Sequence, residues 1–194
     1  GKLGLMIANR GLPEVEALRR ADGNTEIALT LLRCVGWLSR DDFSTRKGHA
    51  GPMLETPGAQ MIGRWAFDYA VLPHAGGWRE AFEQAYGFDV PMRVIATSLH
   101  EGPLAPAGSL VAASPRTFVI SAVKQTADRR GWLVRGYNLG NEAIYVTLKP
   151  SRPFKRVETA ELSEQKIGDL KPEADGSVTL PARKHEILTV VFLS

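Results

Sequence analysis

The chain has 194 residues, with 24 Lys and Arg against 21 Asp and Glu, a net charge of +3, and 44% hydrophobic residues. That is enough apolar material for a real core, and no run of about 18 apolar residues appears that could form a membrane-spanning helix. The basic residues are scattered among acidic ones, the densest groups being Arg129-Arg130 and Arg183-Lys184. No basic run interleaves with aromatics, which argues against nucleic-acid binding.

The single cysteine, Cys34, excludes an internal disulfide and a cysteine-based zinc site. Cytoplasmic folding is therefore the simpler expectation. Cys34 lies in the apolar run Leu31–Val35, where it is expected to act as a small buried hydrophobe. The opening Gly1-Lys2-Leu3-Gly4-Leu5-Met6-Ile7 is too short and glycine-broken for a signal peptide. Starting without Met and without a polar leader, it reads as the start of an excised or processed piece.

In chain order, residues 3–8 are apolar and end at the turn signal Asn9-Arg10-Gly11-Leu12-Pro13. Residues 14–18 alternate as a half-exposed strand does. Asp22-Gly23-Asn24 marks a tight turn into a predicted strand over 25–35, where Ile27, Leu29 and Leu31 alternate with Ala28, Thr30 and Leu32. Residues 36–63 are broken repeatedly by Gly and Pro, and an excursion of that length is usually functional or disordered. Trp65–Leu72 alternates strongly enough to predict a strand, closed by Pro73-His74-Ala75-Gly76-Gly77. Trp78–Tyr86 is the best helix, with Gly87 as its stop.

Short strands are expected at Val94–Leu99 and Leu110–Ala112. From residue 117 the pattern becomes regular, with strands predicted at 118–124, 132–137, 143–148, 156–160, 177–180 and 187–193, several separated by turn signals. Even spacing with turn punctuation is the signature of an antiparallel sandwich. The reading is all-β: part of a large antiparallel β-sandwich over 1–114, then a small terminal β-sandwich over 115–194, with one short helix.

The stretch from Leu29 to Gly51, in which Leu31-Leu32-Arg33 precedes an acidic loop ending Thr45-Arg46-Lys47-Gly48, resembles a segment of glycoside hydrolase family 38. Pro57-Gly58-Ala59-Gln60, Phe67-Asp68-Tyr69-Ala70, Leu72-Pro73-His74, Ile120–Lys124, Leu133–Asn138 and Glu186–Thr189 keep that family's order. The resemblance is to the bacterial branch of α-mannosidases that includes mannosylglycerate hydrolases. It implies a parent enzyme that removes α-linked mannose with retention, using a carboxylate nucleophile and a second carboxylic acid. It also implies a zinc ion, held by an N-terminal catalytic domain that is absent here. This chain is therefore expected to hold no cofactor and to be inactive alone, with that catalytic domain and an α-mannoside as partners. Homo-oligomerisation stays open.

The resemblance places Arg46 where an arginine of the acidic loop reaches the sugar site, and a guanidinium fork suits sugar hydroxyls or a carboxylate. The alternative for Arg46 is a structural ion pair with Asp41 or Asp42. Those two aspartates and Trp37, in the same loop, complete the candidate substrate-binding set. Asp41, Asp42 and His49 are too few and too spread to argue for a metal. His74, His100 and His185 have no partner at ligand spacing, and Ser39, Ser44 and Ser98 lack a nucleophile-elbow context. Trp65 and Trp132 fall in alternating stretches and are expected in the core. The leading function is the non-catalytic C-terminal part of an α-mannosidase that lends a loop to the sugar site. The alternatives are an independent carbohydrate-binding β-sandwich module and a purely structural or oligomerising sandwich.

Overall fold

A computed structural model describes residues 3–103 and 105–193. Gly1 and Lys2, which begin the opening run, lie outside the described residues together with Leu104 and Ser194. The described residues form mainly antiparallel β-structure with one α-helix, and the chain divides into two compact units, residues 1–96 and 97–194.

In the first unit, β1 (Leu3–Asn9) pairs antiparallel with β4 (Tyr69–Ala75), from Leu3 opposite Ala75 to Asn9 opposite Tyr69. A hairpin of β2 (Val15–Arg19) and β3 (Thr25–Leu29) lies between them in sequence. Its turn closes because the Asp22 carboxylate accepts the Asn24 N–H at 3.0 Å and Gly23 adopts φ +85°, a conformation open mainly to glycine. α1 (Trp78–Asp89) packs against the β1–β4 ribbon, with Ala81 buried and Phe82, Ala85 and Phe88 following at helical spacing.

Several expectations are corrected here. The strand predicted over 25–35 ends at Leu29, because its partner β2 begins opposite, at Val15, just after Pro13. Cys34 consequently sits in irregular chain and is exposed rather than buried. The strand predicted at 65–72 lies at 69–75 instead and runs through Pro73. The ribbon has only two strands, so a proline with no N–H sits on an open edge without breaking a ladder. Trp65 falls outside the strand and is exposed, its indole N–H donating to the Met61 carbonyl at 2.8 Å. The helix passes Gly87 to Asp89, its last turn held where Arg10 donates to the Phe88 carbonyl at 2.8 Å and stacks on the Phe88 ring at 4.4 Å. Val94–Leu99 forms no strand: it has no ladder partner, and Val94, Ile95 and Leu99 are exposed.

The second unit is a β-sandwich. One sheet orders β10 (Lys166–Leu170), β9 (Arg156–Ala160), β12 (Ile187–Leu193), β7 (Gly131–Asn138) and β6 (Phe118–Gln125). The other orders β11 (Val178–Ala182), β8 (Ile144–Pro150) and β5 (Val111–Ser114). Strand alternation sends Val134, Val157, Val190 and Phe192 from the first sheet towards Val146, Leu148, Val178, Leu180 and Ala182 from the second, forming one buried core. Trp132 packs against that core as expected, with Arg152 over its ring at 4.9 Å.

Two details fix the sheet. Gly136 is glycine because a Cβ there would lie 2.5 Å from the Phe118 ring and 2.7 Å from the Val119 carbonyl oxygen. Asn138, fully buried, donates through its amide to the carbonyls of Glu142 and Arg183 at 2.7 and 2.9 Å and accepts the Gly140 N–H at 2.8 Å. The turn at 138–142 is thereby tied to the distant segment at Arg183.

Candidate functional site

The 36–63 segment lacks regular secondary structure beyond a 3-10 turn at Pro57–Gln60, yet it is organised. Backbone bonds from Val35 to Ala59, Leu38 to Leu54 and Thr56 to Gly36 zip its two arms together. A bridge between Trp37 and Glu55 lies in the same zipper, and a second bridge joins Asp42 to Lys47 near the tip. At the base the Val35 carbonyl accepts both the Gln60 amide at 2.6 Å and the Thr56 hydroxyl at 3.1 Å.

Ser39 is the latch. Its side chain is buried, and its Oγ accepts the N–H groups of Ala50 and Gly51 at 3.0 and 3.2 Å, holding the two arms together below the tip. Removing it by Ser39→Ala should cost about 1–3 kcal/mol of local stability, since two backbone donors lose their acceptor. Limited proteolysis between residues 40 and 50 is the measurement, and cleavage should be faster in the variant. An unchanged cleavage rate would mean that the zipper alone holds the loop.

On this frame, Trp37, Arg40, Asp41, Asp42 and Met53 line a shallow hollow of about 250 Å³. Arg40 and Asp42 form a two-point ion pair, Nε to Oδ1 at 2.8 Å with a second contact between Nη2 and Oδ2. The hydrogen bond from Arg40 holds the Asp42 carboxyl below the usual carboxylate range, and the same bond raises the guanidinium. Asp42 is therefore favoured in its anionic form. Asp41 faces His49 at 3.5 Å. Arg46 does not pair with either aspartate: it donates to the Arg40 carbonyl at 3.4 Å and lies over the Phe43 ring at 5.8 Å. Among the described residues its guanidinium has no carboxylate partner.

The expected set is thus split. Trp37, Asp41 and Asp42 meet at one hollow, while Arg46 stands beside it on Phe43. The sequence reading missed Arg40, Met53 and the latch Ser39. For Arg40 the signal was present, since an arginine two residues before an aspartate in a loop can close on it. Among the described residues no three His, Cys, Asp or Glu side chains converge as metal ligands. Asp41 and His49 alone do not fit zinc, which takes at least three protein ligands.

Residues 117–190 match the model for glycosyl hydrolases family 38 C-terminal beta sandwich domain. That segment runs from β6 into β12, taking in most of the five-stranded sheet and two of the three strands of the smaller one. The second unit is a family 38 C-terminal β-sandwich domain. Across its whole length the chain is also 33% identical to a Halalkalibacterium halodurans protein provisionally named a mannosylglycerate hydrolase, covering 99% of this chain and 20% of that protein. A crystal structure of an alpha-mannosidase from Enterococcus faecalis V583 is similar with a TM-score of 0.75 and 31% identity, over 98% of this chain and 20% of that one. The chain spans about a fifth of the length of the relatives it matches.

Proposed function

We propose that the chain is the non-catalytic C-terminal part of a retaining, zinc-dependent α-mannosidase, supporting the catalytic domain and lending the 36–63 loop to its sugar site. The observation that carries the loop's role is the hollow itself. It offers the ring of Trp37 for the C–H face of a sugar and the Asp41 carboxylate as a hydroxyl acceptor, with the Asp42–Arg40 pair as a rigid wall. Arg46 adds guanidinium donors without a competing carboxylate. The zinc would belong to the catalytic domain; among the described residues of this chain no three His, Cys, Asp or Glu side chains converge as ligands. No step of the reaction is assigned to this chain's residues; their task is to bind and orient.

The test is Arg46→Ala in the full-length parent enzyme, with kcat/KM measured on an aryl α-mannoside. Losing a charged hydrogen bond to substrate should cost about 1.5–3 kcal/mol, roughly a 10- to 150-fold fall in kcat/KM. Unchanged kinetics in a folded variant would reduce the loop to scaffold.

The exposure of Trp37, Trp65 and Trp78 favours a second reading, an independent sugar-binding module. Tryptophan fluorescence of the chain titrated with mannosides separates the two. Saturable quenching without any catalytic domain would support the module, and a flat titration would remove it.

A further inference from the structure

Within the second unit, the segment joining β8 to β9 and the segment joining β10 to β11 border a hollow of about 410 Å³, inside the size range of small-molecule sites. Its walls include Lys149, Arg152, Phe154, Pro172 and Asp175. Phe154 is a fixed surface, packed against the sandwich core with its ring 5.3 Å from that of Phe192. Pro150, Pro153 and Pro172 restrict the backbone around it. Lys149 ties the two segments by donating to Asp175 at 2.9 Å, and Asp175 also accepts the Ser177 hydroxyl at 2.6 Å and its N–H at 3.0 Å. The bonds from Lys149 and Ser177 hold the Asp175 carboxyl well below the usual carboxylate range, so this anion is already satisfied and belongs to the frame.

Arg152 is the contrast. Its guanidinium lies over two rings, 4.9 Å from the centre of Trp132 and 5.2 Å from that of Phe154. Among the described residues it has no hydrogen-bond or carboxylate partner. Ring contacts use the faces of a guanidinium and leave the N–H donors along its edge for a ligand. A fork positioned in advance loses little freedom on binding, and it matches a planar carboxylate with two parallel hydrogen bonds. The local charge favours an anion as well. Lys155 and Lys171 flank the lining segments, exposed and without an ion pair among the described residues, and the only uncommitted carboxylate on the hollow is Glu173.

We propose that this hollow binds a small carboxylate carried on a ring, with Arg152 gripping the carboxylate and Phe154 and the prolines receiving the ring. The apolar wall is what separates such a ligand from a bare inorganic anion. An aromatic acid and an acidic sugar both supply this chemistry, and the same side chains would hold either. All the residues involved lie in the second unit, so the site is separate from the 36–63 loop and stands whether or not that loop serves a sugar pocket.

The experiment is isothermal titration calorimetry of the full-length parent with sodium benzoate, sodium D-glucuronate, methyl α-D-glucoside and sodium phosphate, all at one low ionic strength. At least one of the two carboxylates should bind with a Kd on the order of 1 mM, and the one that binds identifies the source. Arg152→Gln should weaken that binding at least about tenfold, as loss of a charged two-point hydrogen bond does. Arg152→Lys keeps the charge without the fork and should also weaken it severalfold. Lys171→Gln, a change to an exposed neighbouring cation, should leave it within about twofold. Comparing variants with the natural protein removes any contribution from binding elsewhere in the enzyme. Absence of carboxylate binding, or binding unchanged in Arg152→Gln, would overturn the proposal. An equal loss in Lys171→Gln would overturn it too, by reducing the effect to diffuse attraction. Methyl α-D-glucoside or phosphate binding as tightly as the carboxylates would do the same, by making the ligand a neutral sugar or a bare anion. Should Arg152→Gln fail to fold, Arg152→Lys carries the comparison with the same two outcomes.

Discussion

Phe192→Ala should destabilise the second unit by about 3–5 kcal/mol, the range for removing a large buried aromatic side chain. Phe192 is 1% exposed and lies on β12, opposite Trp132 on one side and Val157 on the other. Its ring meets Phe154 at 5.3 Å, and its face of the sheet points into the core shared with the three-stranded sheet. β12 has neighbours on both sides in its own sheet, so no edge can relax into the hole. In a unit of this size each kcal/mol lowers the melting temperature by roughly 4–8 °C, which predicts a fall of well over 10 °C in a thermal scan followed by circular dichroism. A loss of only a few degrees would mean that the two sheets close over the cavity. Such a result would contradict the tight packing that the buried Val146, Val178 and Ala182 imply.

The second half of the fold was legible in the sequence where its strands alternate. Along β11, Val178, Leu180 and Ala182 are buried while Thr179 and Pro181 are exposed, a period of two that needs no knowledge of partners. β10 escaped because it carries almost no such signal. It is a five-residue edge strand with one neighbour, an exposed Ile167 and a register shift at Gly168. In the first half, periodicity located β1 and β2 but misjudged where β3 stops and β4 begins. Those limits depend on where a partner strand starts, which is tertiary information.

The candidate site was legible in part for a similar reason. The family resemblance picked out the acidic loop and Arg46, and the hollow gathers Trp37, Asp41 and Asp42. Which arginine closes on which aspartate depends on backbone path. Arg40 reaches Asp42 because they flank one turn of chain, whereas Arg46, across the tip, is left on Phe43. The latch Ser39 was invisible because a serine acting as a double acceptor has no sequence signature apart from the fold that buries it.

Glu158→Gln should make the stability of the second unit less sensitive to acid, because Glu158 is a buried charge satisfied only by cations. Its side chain is 1% exposed on the outer face of the five-stranded sheet, where Leu133, Ala160, Val191 and Leu193 are also buried. Burial pushes this carboxyl up, but the hydrogen bond and charge of Arg130, with Lys166 and Arg156, outweigh it and hold it below the ordinary range. Arg130 stands at 2.7 Å, Arg156 at 3.0 Å and Lys166 at 3.7 Å. A carboxyl with a folded pKa below its unfolded one binds fewer protons when folded. Its contribution is therefore complete above the unfolded value of about 4.5 and is lost as the pH falls through the lower folded value. At neutral pH the amide should cost about 1.5–3 kcal/mol, the range for a hydrogen bond to a charged group. The three cations are themselves 32%, 63% and 41% exposed, so they regain water when the charge is removed, which favours the lower end. Melting temperatures of the natural chain and the Gln variant should consequently differ at pH 7 and draw together as the pH falls below about 4.5. A gap that stays constant over that interval would assign the loss to packing, not to the charge of Glu158.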